Sequence, residues 1–194
     1  ILDQQLWVDY VEEFKQKNPR KKDEIACYEQ ILSTRRYQSL AASVIGQKFH
    51  FSPPQEIKIS KMKTGKKRTV YIHAPEEKLV LRIVNKLLQT RQLYCESLCF
   101  SFHPGGGAAA AYKKLLSDKK LNEKCCVKLD IQDYFNSIDV PLMMHILSEK
   151  LDVSSPEYSL IRNLLEGKMV LRGGAPVIAL QKGVMAGNPL APLL

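Results

Sequence analysis

No stretch of about 18 uncharged apolar residues occurs in this chain, so no transmembrane helix is expected. Ile1 to Tyr10 includes Asp3 and Asp9 and lacks the basic-then-apolar pattern of a secretory leader. Cysteine is sparse: there are five, an odd number, with no C-x-x-C spacing. His50, His73, His103 and His145 stand at no finger-like distance from them. Zinc fingers and disulfide scaffolds are thereby excluded, and reduced thiols in a cytoplasmic chain are expected. Ten Gly and ten Pro are too few for a collagen-like chain. There is no internal repeat, no low-complexity tract and no Asp-Asp pair.

What is present is apolar mass and positive charge. Hydrophobic residues make up 45% of the 194, enough for a sizeable core and too many for intrinsic disorder. Lys+Arg outnumber Asp+Glu by 29 to 20, a formal net charge of +9. The excess lies in three clusters. The first is Lys15, Lys17, Arg20, Lys21 and Lys22. The second is Lys58, Lys61, Lys63, Lys66, Lys67 and Arg68. The third is Lys113, Lys114, Lys119, Lys120, Lys124 and Lys128. Clusters spread along the chain suit a surface lining a long polyanion, and a nucleic acid is favoured over a membrane. For any single cluster, a solvated helix face is the competing reading.

Hydrophobic periodicity predicts a helix over Leu6 to Lys17, ended by Asn18-Pro19, with Leu6, Tyr10 and Phe14 on its apolar face. A second helix is expected from a cap at Asp23 through Leu32, and a third over Tyr37 to Val44. Glu56 to Ser60 and Arg68 to His73 alternate polar and apolar around Lys63-Thr64-Gly65-Lys66, which reads as a β-hairpin with a basic tip. Pro75-Glu76-Glu77 opens a helix with Leu79, Ile83, Val84, Leu87 and Leu88 buried. Ala108 to Leu116 is a strong helix former. Cys125 to Ile131 is a nearly continuous apolar run that suits a central buried strand. Helices follow over Pro141 to Lys150, carrying Leu142, Met143, Ile146 and Leu147, and from Ser155-Pro156 through Leu165. Val177 to Leu180 reads as a strand, and Gly183 to Pro192 as a loop leading to a further helix. The order of elements is mixed α/β.

The segment richest in chemistry is Val127-Lys128-Leu129-Asp130-Ile131-Gln132-Asp133-Tyr134-Phe135-Asn136-Ser137-Ile138. A carboxylate at a strand end can hold Mg²⁺ with few protein ligands while a nucleotide's phosphates supply the rest. An Asp capping the next turn is the plainer reading of this segment alone.

This segment resembles the first catalytic motif of reverse transcriptases: an apolar strand, a metal-binding Asp, four residues, then an aromatic. The resemblance implies that Asp130 is catalytic, that Asp130 and Ile131 bind Mg²⁺ or Mn²⁺, and that Ile131 and Phe135 contact the incoming nucleotide. Phe135 would be the ring that excludes a 2′-hydroxyl by clash. Asp133 is read as a surface residue. Upstream, Ile57 to Arg68 is similar to the fingers hairpin of retron and group II intron reverse transcriptases. There Lys61 and Arg68 would grip the triphosphate, where charge accumulates in the transition state. Ser101-Phe102-His103-Pro104-Gly105-Gly106-Gly107-Ala108 resembles a loop of the group II intron enzymes, with Phe102 and Gly105 implied in template or primer binding. His103 and Gly106 stand where that loop carries arginines. Gln181 to Leu194 resembles the next motif, Gln-Gly, three residues, Ser-Pro. Gly187 and Pro192 match as nucleotide and template-primer contacts, while Ala186 and Ala191 replace the usual Gln and Ser.

The fold that the resemblance implies is α/β (α+β): the fingers and partial palm of a right-hand polymerase, with a palm strand carrying Asp130. Residues 1–50 would be a helical part of the fingers, 51–122 the rest of the fingers, and 123–194 a truncated palm. The implied partners are an RNA template, a DNA primer and dNTPs, in a bacterial-type cytoplasm, with no membrane. The next family motif, an aromatic, one residue, then Asp-Asp, is expected beyond Leu194, so the chain is read as an inactive piece of a polymerase. Two alternatives stand beside this reading. One is a phage-defence, abortive-infection-type reverse transcriptase with untemplated or protein-primed synthesis, which the missing loop arginines and the altered Gly-Pro motif favour. The other is a non-catalytic RNA-binding module.

Overall fold

The computed structural model describes residues 1–60, 65, 67–89, 99–101, 106–180 and 182–191. Three helices come first: α1 (Gln4–Lys17), α2 (Lys22–Ser33) and α3 (Arg36–Ile45). Strands β1 (Gln55–Ser60) and β2 (Lys67–Ile72) precede α4 (Pro75–Gln89). Then come α5 (Ala108–Leu116), the one-turn α6 (Tyr134–Ser137), α7 (Val140–Lys150) and α8 (Pro156–Glu166). Strands β3 (Met169–Arg172) and β4 (Ala175–Ile178) close the order. The protein is mixed α/β, with one four-stranded sheet in the order β2-β1-β3-β4 among the described residues.

Asp3 starts α1 by accepting from the Gln5 N–H. The buried face of α1 is Trp7, Val11 and Phe14. Leu6 and Tyr10, expected on that face, only flank it. Asp23 does not cap α2. It lies within the first turn, where its charge still suits the helix dipole. Asp139 and Ser155 cap α7 and α8 through Leu142 N–H and Tyr158 N–H. In α7 only Leu147 is buried, and Leu142 and Ile146 face solvent.

The strands form two antiparallel hairpins. β1 and β2 pair antiparallel from Gln55–Ile72 to Ser60–Lys67. β3 and β4 pair around Gly173-Gly174, both with positive φ, as a two-residue hairpin turn requires. β3 was not expected from the sequence. Its single parallel pairing, Gln55 with Leu171, joins the two hairpins into one sheet.

Cys125 to Ile131 departs most from expectation. It is not a buried strand: no strand pairs with it among the described residues, and Val127, Leu129 and Ile131 are exposed. An apolar run becomes a central strand only if neighbours on both sides satisfy its backbone groups. Here the sheet forms from the hairpins instead.

The main core is one cluster running from Trp7 to Leu190 in sequence. Helix α4 is its centre, burying Leu79, Val80, Leu81, Ile83, Val84 and Leu88 together with Glu77. An ion pair with its hydrogen bonds ties α4 to α2. Arg82 reaches Glu24 Oε1 at 2.7 Å and donates to the Tyr28 hydroxyl at 2.7 Å, while Tyr28 donates to the same Glu24 oxygen at 2.6 Å. The guanidinium lies 4.4 Å from the Phe14 ring centroid. Burial pushes the Glu24 carboxyl up, but the Tyr28 hydrogen bond and the charges of Arg82, Lys78 and Lys21 outweigh it and hold the carboxyl below its ordinary value.

Two outcomes follow from this site. Arg82→Leu removes the closest cation from a mostly buried carboxylate, leaving Lys21 at 3.8 Å and Lys78 at 3.9 Å, and should lower stability by about 2 kcal/mol, read from the urea midpoint. Because the folded-state pKa of Glu24 is depressed, its contribution is complete above the ordinary carboxylate value and is lost as pH falls through the folded one. Wild-type stability should therefore drop below about pH 4.5. A Glu24→Gln variant should show a shallower drop in the same titration.

Candidate nucleic-acid interface

The loop after β4 is built to touch two other segments by backbone alone. On one side the Tyr71 N–H of β2 donates to Ala186 O at 2.8 Å. Gly187 sits at φ +109°, and a Cβ there would stand 2.7 Å from Tyr71 O. On the other side the Val184 N–H donates to Phe135 O at 2.9 Å. A Cβ on Gly183 would fall 2.0 Å from that same carbonyl. The loop thus joins the hairpin to the turn that follows Asp130. Asn188 stiffens it by donating to Met185 O at 3.0 Å.

Two hollows flank this junction and share Leu180. One, of about 450 Å³, is lined by Glu56, Lys58, Thr69, Tyr71, Arg172 and Leu180. The other, of about 350 Å³, is lined by Asp133, Asn136, Ser137, Leu180 and Lys182. Strand alternation decides which cations face the first. Lys58 pairs with Thr69 and Glu56 with Tyr71, so Lys58 and Lys67 lie on the Tyr71 face. Arg68 pairs with Ile59 and lies on the opposite face, exposed. Arg172 grips Glu56 through two bonds, at 2.9 and 3.0 Å, and holds that carboxyl below its usual range.

The sequence-predicted residues fall into three groups. Gly187 and Phe135 are brought to the junction, with Phe135 half-buried against the main core. Asp130, Ile131 and Arg68 are exposed and lie outside both hollows. Lys61, Phe102, Gly105 and Pro192 lie outside the described residues. Residues the sequence reading missed are Tyr71, Gly183, Val184 and Lys182. Gly183 was visible as a glycine in a punctuated loop; nothing local marks Tyr71.

Asp130 offers a carboxylate and Ile131 can offer only a carbonyl, both hard oxygens of the kind Mg²⁺ or Mn²⁺ takes. Among the described residues no group of three or more His, Cys, Asp or Glu could hold a metal ion. These two donors are a partial set for a metal. Asp133 adopts the left-handed conformation and is occupied as an acceptor from Asn136 Nδ2.

The basic clusters separate by pairing. In the first, Lys15 binds Glu29 at 2.6 Å, Lys17 binds Glu13 at 2.5 Å and Lys21 approaches Glu24 at 3.8 Å. Lys17 and Lys86 hold the Glu13 carboxyl down at about 2. Arg20 and Lys22 of that first cluster are exposed and make no ion pair among the described residues. Lys58, Lys67, Arg68, Lys113, Lys114, Lys119, Lys120 and Lys128 are likewise exposed and make no ion pair among the described residues. In the third cluster Lys124 alone is paired, to Asp118. No described helix is long and apolar enough to cross a membrane.

Gly183→Ala should push the loop off Phe135 and destabilise the protein by about 2 kcal/mol, with faster amide exchange at Val184. Gly187→Ala should speed exchange at Tyr71 instead. Unchanged protection at both amides would show that the loop does not depend on these glycines. No protein-family model and no curated protein matches this chain.

Proposed function

We propose that this chain is the nucleic-acid-binding fingers and partial palm of a reverse transcriptase. In the full-length parent it would transfer dNMP from a dNTP to a primer 3′-end on an RNA template. The observation that carries the reading is the junction at residues 183–187. It brings the hairpin, the Gly187 loop and the turn after Asp130 together, three segments whose motifs already stand in the family's order. Cations that make no ion pair among the described residues flank it: Lys58 and Lys67 on the hairpin face, and Lys182 beside Asp133. Such charges bind a phosphodiester chain mainly by releasing its counterions.

In this reading Asp130 supplies one carboxylate, and two-metal chemistry needs a second from elsewhere. The non-catalytic RNA-binding module draws on the basic surface alone and needs no carboxylate. The defence-associated variant draws on sequence alone.

The readings separate by experiment. Single-stranded RNA should bind this chain with a strong salt dependence. Lys58→Ala with Lys67→Ala should weaken it and reduce the log–log salt slope by about 0.7 per lost phosphate contact, while Asp130→Ala leaves binding unchanged. With primer, template, dNTPs and Mg²⁺, the 194-residue chain should incorporate no nucleotide. The full-length parent should incorporate, and its Asp130→Ala variant should lose that activity but not RNA binding. A parent that never incorporates leaves the binding module; one that incorporates without Asp130 overturns the assignment.

A further inference from the structure

Residues 124–131 run without helix, turn or bend, from an extended Lys124 to Asp133, whose left-handed conformation turns the chain into α6. Valine, leucine and isoleucine stand at every second position from Val127 to Ile131, a composition that suits a strand. Val127, Leu129 and Ile131 are 77%, 88% and 62% exposed. The backbone N–H and C=O groups of residues 125–131 make no hydrogen bond among the described residues. Lys128 and Asp130, which alternate with the apolar side chains, are exposed and make no ion pair among the described residues. An apolar segment with open backbone groups is a template for another strand.

The order of charges along the segment selects which strand fits. In an antiparallel ladder, residues opposite each other lie on the same face of the ribbon. With two copies paired about a twofold axis at Leu129, Lys128 faces Asp130 of the partner subunit, and Asp130 faces the partner's Lys128. Val127 then faces the partner's Ile131, and Leu129 faces its own copy. Every charge is matched and every apolar side chain has an apolar neighbour. An axis at Lys128 or at Asp130 sets that charge against itself. An axis between two residues sets charged side chains against apolar ones. Parallel pairing in register stacks like charges. One register alone satisfies the whole segment.

We propose that residues 127–131 are a self-complementary docking strand through which two copies of this chain pair antiparallel, with Leu129 on the twofold axis and two Lys128–Asp130 ion pairs between the copies. Such a contact is isologous, so it closes as a dimer and does not propagate. A ribbon this short buries much less than the roughly 1,200–2,000 Å² of a stable complex, so the dimer is weak and forms at high micromolar concentration. The pairing sets Asp130 against a lysine and is independent of the polymerase reading.

The test is sedimentation equilibrium of the nucleic-acid-free chain at concentrations up to about 1 mM. Wild type should pass from monomer to dimer as concentration rises, and the amides of residues 127–131 should gain exchange protection in step. Lys128→Glu and Asp130→Lys each set like charges opposite one another, and each should weaken the dimer by about tenfold or more. An equimolar mixture of these two variants restores both ion pairs and should dimerise as tightly as wild type. Lys114→Glu, on α5, makes the same change in net charge as Lys128→Glu and should leave the dimer unchanged. All three positions are exposed, and circular dichroism checks that each variant folds. A wild type that stays monomeric, a mixture no tighter than the single variants, or an equal loss from Lys114→Glu would each overturn the proposal. If a variant does not fold, the wild-type amides decide: a dimer that leaves residues 127–131 unprotected overturns it. Neither RNA binding nor nucleotide incorporation enters these readouts, so failure of the polymerase reading would leave them unchanged.

Discussion

Helix α4 is buried along most of its length, and its polar side chains must therefore find partners inside the protein. Glu77 collects the Ser52 and Ala74 donors and so pins the chain leading into β1 against the start of α4. Arg82 collects Glu24, Tyr28 and the Phe14 ring, and so pins α1 and α2 to its middle. Lys86 reaches Glu13 at 2.8 Å near its end. One helix thereby sets the position of the helical layer and of the hairpin that precedes it.

The candidate interface depends on that placement at one remove. Because α4 fixes the end of β2, Tyr71 presents its backbone where the Gly187 loop can dock, and the loop in turn meets Phe135. These contacts use main-chain groups, so they tolerate change in neighbouring side chains but not a Cβ at Gly183 or Gly187. The arrangement also divides the positive charge. Lys15, Lys17 and Lys21 balance helix carboxylates, whereas Lys58, Lys67, Lys113, Lys114, Lys119, Lys120 and Lys128 make no ion pair among the described residues and remain open to a polyanion.

Local pattern made most elements legible. The periodicity of α4, the alanine-rich α5, the Ser155-Pro156 start of α8 and the hairpin around Gly65 all follow from propensity and turn chemistry acting within a few residues. The motif order along the chain was equally readable, since it is a property of the sequence. β3 escaped notice because Met169 to Arg172 is only four residues long, and the signal lay in the Gly173-Gly174 turn after it. Cys125 to Ile131 was misplaced for the opposite reason: its composition suits a central strand, but a strand exists only by pairing.

By itself the sequence determined the helices, the basic excess and the glycines that permit close backbone approach, because each depends on a residue's own conformational freedom or charge. Tertiary structure alone decided which lysines stay unpaired among the described residues, that Lys58 lines the hollow while Arg68 lies on the opposite face, and that His73 is buried beside Glu77. Those outcomes depend on segments far apart in the chain meeting in space. Pairing register and burial are properties of that meeting, and no local stretch of residues carries them.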